Sequence, residues 1–145
     1  MKAFRFPLDK VLDWRRTQLA LEESQYRQQL AALAELDRRR TELEAAGQVA
    51  ERQVREWNPL AGGELEALGD FRLHVKQKQL DLVEPRAECR KQLDRQHGLM
   101  LEARRRLRLL ERLKERRLAE WRAARDRAIE ELAAESYLAK WLRQS

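Results

Sequence analysis

Trp57-Asn58-Pro59-Leu60-Ala61-Gly62-Gly63 is the place where the helical pattern of the chain stops. Pro59 removes a backbone donor and clashes with the preceding turn, and two consecutive glycines release the backbone from helical dihedrals. Long runs rich in Leu, Ala, Glu, Arg and Gln, all strong helix formers, lie on both sides. The break therefore reads as the turn of a helical hairpin: a helix over 8–57, a turn over 58–63 and a second helix over 64–142. Together they form one elongated all-α domain spanning residues 1–145.

Upstream of the turn, Pro7 suits the first turn of a helix, where its missing N–H has no partner to lose. No further proline occurs before Pro59. The fifty residues from Leu8 to Trp57 would make a rod of about 75 Å at about 1.5 Å per residue. Apolar residues recur in sevens along it, at Leu12, Leu19, Tyr26 and Leu33, with Leu8 and Leu30 on the same face. The register then moves by three, to Leu36, Leu43, Ala50 and Trp57, supported by Val54. Such repeats describe a coiled-coil strand, and the shift reads as a discontinuity in it. Glu35 with Arg39 and Glu51 with Arg55 are spaced to pair along the helix surface.

Downstream, Leu65, Leu68, Phe71 and Val75 open the second helix, and Leu93, Met100, Leu107, Leu110, Leu118 and Trp121 continue it. Pro85 stands between, where an interior proline costs about 3 kcal/mol and can kink or break the helix. A kinked, nearly continuous second helix is the reading favoured here. Two helices joined by so short a turn run antiparallel and bury their apolar seams against each other. Gly47 and Gly98 interrupt the two helices, as local weak points or places of close approach.

Composition supports a thin shape. Charged residues make up 39% of the 145, against roughly 25% in an ordinary soluble domain, and so much charge needs a large surface over a small core. The 43% hydrophobic content argues against disorder. Cys89, the single cysteine, has no partner for an intramolecular disulfide, and with His74 and His97 it makes no zinc-site spacing. No apolar run approaches the roughly 18 residues that span a bilayer. These features predict a cytoplasmic protein, neither secreted nor membrane-embedded.

Catalytic signatures are missing too: no glycine-rich phosphate loop, no His-Glu-x-x-His, and no histidine near Ser24 or Ser136 in sequence. Cys89 lies among Arg86, Arg90 and Lys91, but without an adjacent base the plainer reading is an inert thiol. The expectation is a protein that is not an enzyme and carries neither cofactor nor metal.

The charge is unevenly placed. Residues 1–70 hold 11 basic and 13 acidic groups, whereas residues 71–145 hold 20 and 12, and Arg104 to Arg127 alone contributes 11 basic residues against four acidic. Nucleic-acid binding is one outlet for such a field. Here, however, the basic residues interleave with the seam positions Leu107, Leu110, Leu113 and Leu118, which suits a solvated helix face or a dock for an acidic protein. Of the four tryptophans, Trp14 and Trp121 are expected to pack in the seam, while Trp57 and Trp141 stand near the ends, where partners can reach them.

The opening Phe4-Arg5-Phe6-Pro7-Leu8-Asp9-Lys10-Val11-Leu12-Asp13-Trp14-Arg15 resembles the N-terminus of the FliJ family of flagellar export proteins. Leu109-Leu110-Glu111-Arg112-Leu113-Lys114-Glu115-Arg116-Arg117 is similar to that family's C-terminal Leu-Glu-x-Leu-x-Glu-Arg pattern, and Ile129-Glu130-Glu131-Leu132-Ala133 follows it. The resemblance covers nearly the whole chain. It implies an antiparallel coiled-coil hairpin, similar to the stalk of rotary ATPases, in the flagellar type III export apparatus. The implied partners are the hexameric export ATPase, the cytoplasmic part of the export gate and export chaperones, with no nucleic acid. The implied location is the cytoplasm, peripheral to the inner membrane at the flagellar base.

On this resemblance Arg104, Arg105, Arg108, Arg112, Arg116, Trp121 and Arg125 would face the ATPase ring, and Leu43, Phe71 and Val75 the gate. Ala46 and Ala50 stand where the family can have aromatics. The alternatives are a stalk of a virulence type III secretion system and a basic coiled-coil nucleic-acid binder.

Overall fold

The computed structural model of the chain describes residues 2–56 and 62–144. Two helices, α1 (Asp9–Glu56) and α2 (Gly62–Gln144), pack against each other as an all-α hairpin, with no strand among the described residues. Trp57 and the first positions of the expected turn lie outside the described residues. Gly62 and Gly63, expected in the turn, are instead the first two residues of α2, where backbone N–H groups lack intrahelical partners in any case.

At the other end, Pro7 precedes α1 in a turn closed by Asp9 N donating to the Phe6 carbonyl at 3.2 Å. The Leu8 carbonyl then accepts from Leu12 N at 2.8 Å, so the helix opens slightly later than Pro7 suggested. Asp9 in its first turn meets the positive end of the helix dipole.

α2 continues through Pro85. Pro85 and Asp81 are both exposed. Water can therefore reach the Asp81 carbonyl, which has lost its usual Pro85 N–H donor, and this offsets part of the proline's cost.

Burial along α1 corrects the expected discontinuity. Two interleaved columns seven apart are covered, with Leu12, Leu19, Tyr26, Leu33, Gly47 and Val54 in one and Arg15, Glu22, Gln29, Leu36, Leu43 and Ala50 in the other, and Gln18, Glu23, Ser24, Glu35, Asp37 and Glu51 are half-buried beside them. Only exposed Arg40 breaks the first column. The leucines change column after Leu33 while the seam itself runs on, as the paired core positions of an unbroken heptad do. Leu30, expected on this face, is 45% exposed, because its neighbour Gln29 occupies the seam. Leu8 is likewise exposed.

The chain divides into two compact units. One spans Leu21–Met100. Its pairings, Glu22 with Gln96, Asp37 with Arg86 and Glu51 with Arg72, fall in α2 as they rise in α1, which is the antiparallel order. Val54, Leu68, Val75 and Met100 are its buried apolar residues. Its seam also carries polar contacts. Gln96, 5% exposed, donates to both the carbonyl and the carboxylate of Glu22. Arg86 donates to Asp37 at 2.6 Å, and Cys89 Sγ lies 3.9 Å from the Gln29 carbonyl. Polar residues at such positions cost stability but select one register of the two helices.

The other unit combines the N-terminal twenty residues with the chain from Leu101 onward. Its core is apolar, with Leu12 fully buried and Phe6 and Leu107 nearly so. From Asp126 to Gln144 every residue of α2 is exposed, since no part of α1 covers it.

Candidate partner surfaces

In the unit that contains the chain's start, the residues before α1 fold back onto α2. Phe6 is buried, and Phe4 packs on Trp121 with ring centroids 6.1 Å apart. Trp121 Nε1 donates to the Lys2 carbonyl at 3.2 Å, and the Arg125 guanidinium lies over the indole at 5.2 Å. Lys114 occupies a seam position and reaches Asp9 at 2.8 Å. Trp121 thus packs internally, as expected of a seam residue, and keeps one half-exposed face. This N-terminal closure was not foreseen, although the aromatic pair Phe4 and Phe6 just ahead of Pro7 is its signal.

Trp14, expected in the seam, is 52% exposed and carries Arg15 over its ring at 4.6 Å. The reason is spacing: positions 12 and 15 take the seam and leave 14 outside. Trp141, by contrast, is open to solvent as expected.

The expected ring-facing arginines separate by environment. Arg104 and Arg125 are half-buried, whereas Arg105, Arg108, Arg112 and Arg116 are exposed. Arg105, Arg108 and Arg112 share a shallow groove with Leu101 and Leu109. Glu102 takes hydrogen bonds from Arg105 and Arg106, which hold its carboxyl below the usual carboxylate range. The structure therefore brings the arginines to one segment of α2 as a charged surface that could receive carboxylates.

The three residues expected at the gate do not form one surface. Val75 is buried in the seam, where a Cβ on Gly47 would lie 3.7 Å from its Cγ1. Leu43 and Phe71 are half-buried, and Leu43 shares a groove with Ala46, Lys78 and Leu82. Of the expected intrahelical pairs, Glu35 meets Arg39 at 3.6 Å but Arg38 more closely, at 2.7 Å. Glu51 reaches across the hairpin to Arg72 at 3.1 Å rather than along α1 to Arg55.

Among the described residues, no three His, Cys, Asp or Glu side chains converge as metal ligands, and no helix is long and apolar enough to cross a membrane. Comparison with protein-family models, with characterised proteins and with solved structures finds no match to this chain. The family resemblance rests on the residues quoted for it.

Proposed function

We propose that the chain is a stalk of the flagellar type III export apparatus, which couples the hexameric export ATPase to the export gate and escorts export chaperones. The observation that carries this reading is the unit formed by residues 2–20 with 101–144. There an aromatic closure at Phe4 and Trp121 ties the helices together, and α2 carries exposed arginines before continuing uncovered. A helix pair of this kind offers a ring of carboxylates a set of charges able to re-pair as the ring changes state, and it needs no catalytic group of its own. On this reading the protein works in the cytoplasm and meets the membrane only through the gate.

The test is the ATPase activity of the cognate hexamer with the chain added. Stimulation is expected, with loss on charge reversal of Arg108 and Arg112, and the absence of both binding and stimulation would sink the stalk reading. A salt-sensitive mobility shift with duplex DNA, without capture of the ATPase, would favour the nucleic-acid alternative instead.

A further inference from the structure

The outward face of α2 beyond Leu101 carries an order that the stalk reading does not use. Its exposed stripe advances in steps of three and four residues, averaging about 3.6 per turn, and so stays on one side of the helix. Taken outward from Trp121, the stripe sets basic residues on one side at the same distances as acidic residues on the other at two of its steps. Ala119 and Ala123 lie two residues to either side, and Arg116 and Asp126 five. Arg112 and Glu130 lie nine away, Arg108 and Ala134 thirteen, Arg105 and Tyr137 sixteen, and Leu101 and Trp141 twenty. All of these side chains are exposed. Arg112, Arg116 and Glu130 have no ion pair among the described residues, and Asp126 is engaged only by its neighbour Arg125 at 3.4 Å.

We infer that this face docks a second copy of the same chain, α2 against α2, antiparallel about a twofold axis at the level of Trp121. A twofold contact makes every pairing twice, so the opposite charges at the Arg116–Asp126 and Arg112–Glu130 steps each count double, while Arg108 falls opposite Ala134. The alanines at the axis let the helices approach closely. Arg116 then faces Asp126 and Arg112 faces Glu130, each pairing made twice. Further out, Arg105 lies against Tyr137, where a guanidinium over a ring is favourable, and Leu101 meets Trp141.

Parallel pairing would set Arg112 against Arg112, so charge selects the antiparallel sense. Trp121 points the other way, into its contact with Phe4, so the dimer leaves the internal closure intact. It also covers Arg105, Arg108, Arg112 and Arg116, four of the arginines proposed for the ATPase ring. The dimer is thus a closed form that must separate before those residues can serve an acidic partner.

Sedimentation of the full chain across a concentration series tests this. A dimer that weakens with added salt is expected. Arg112→Glu and Glu130→Arg should each raise the dissociation constant at least about tenfold, since each sets two like-charge pairs against one another. The double variant should return it towards the wild-type value, because the reversed pairs match again. Unchanged far-UV circular dichroism checks the fold. As a second measurement, Ala119→Cys with Ala123→Cys in a Cys89→Ser background should oxidise to a covalent dimer. A chain that stays monomeric throughout the series, or a dimer indifferent to both reversals, overturns the proposal.

Discussion

The two units hold the same pair of helices together by different means. In Leu21–Met100 the seam is laced with polar contacts, Glu22 to Gln96 and Asp37 to Arg86, between half-buried leucines such as Leu33, Leu36 and Leu43. In the unit formed by the chain's start and the region beyond Leu101, the core is apolar, centred on Leu12 and Phe6 and capped by Phe4 on Trp121. Polar contacts discriminate between registers but add little net stability, whereas apolar burial adds stability and discriminates weakly. One unit is therefore suited to fixing alignment and the other to supplying cohesion.

Removing the Leu12 side chain is the strongest way to break this contrast. Leu12→Ala should cost about 2–5 kcal/mol in thermal or urea unfolding, the range for a fully buried leucine. A cost below about 1 kcal/mol would mean that cohesion lies elsewhere. Next in size is Gln96→Ala, which strips the partner from the Glu22 carbonyl and carboxylate and should cost about 1–3 kcal/mol by the same measurement. Gln96→Leu should recover much of that stability while allowing the helices to slip, which distance measurements between spin labels on α1 and α2 would register as a broadened distribution.

Gly98→Ala should act in the opposite direction. Nothing lies within 4 Å of the added methyl, so helix propensity alone decides, and a gain of about 0.5–1 kcal/mol is expected in the melting curve.

The smallest effect is the response to acid. Hydrogen bonds from Arg38 to Glu35, and from Arg105 and Arg106 to Glu102, hold these two carboxyls below their ordinary values in the folded chain. A carboxyl depressed by folding contributes stability above its unfolded value of about 4.3 and loses it as pH falls through the lower folded value. Melting temperature should therefore decline slightly below about pH 4, and less so in Glu35→Gln with Glu102→Gln. Both side chains are open enough to water that the step stays small, and a large one would overturn this assignment.

The hairpin was legible because heptad spacing and helix breakers are local signals, and Leu12, Val75 and Leu107 stand where that spacing puts them. Polar seam positions were not, since Gln29 and Gln96 look like surface residues until the opposite helix is in place. The register shift expected after Leu33 comes from following apolar residues along one column at a time, whereas position along the helix and not residue type defines the seam. Among the candidate contact residues, the arginine segment was visible as a run of charge. That Phe4 closes on Trp121 depends on a pairing far apart in sequence, of which the aromatics ahead of Pro7 are only the local half.

That separation has a consequence for how the chain comes into being. Lys114 follows Asp9 by 105 residues, yet the two meet. At about 5–20 residues per second of synthesis, Phe4, Phe6 and Leu12 wait roughly 5–20 s for the segment that will cover them. The apolar residues ahead of and at the opening of α1 are thus made well before the segment that shelters them, and stay exposed to water for that interval of synthesis.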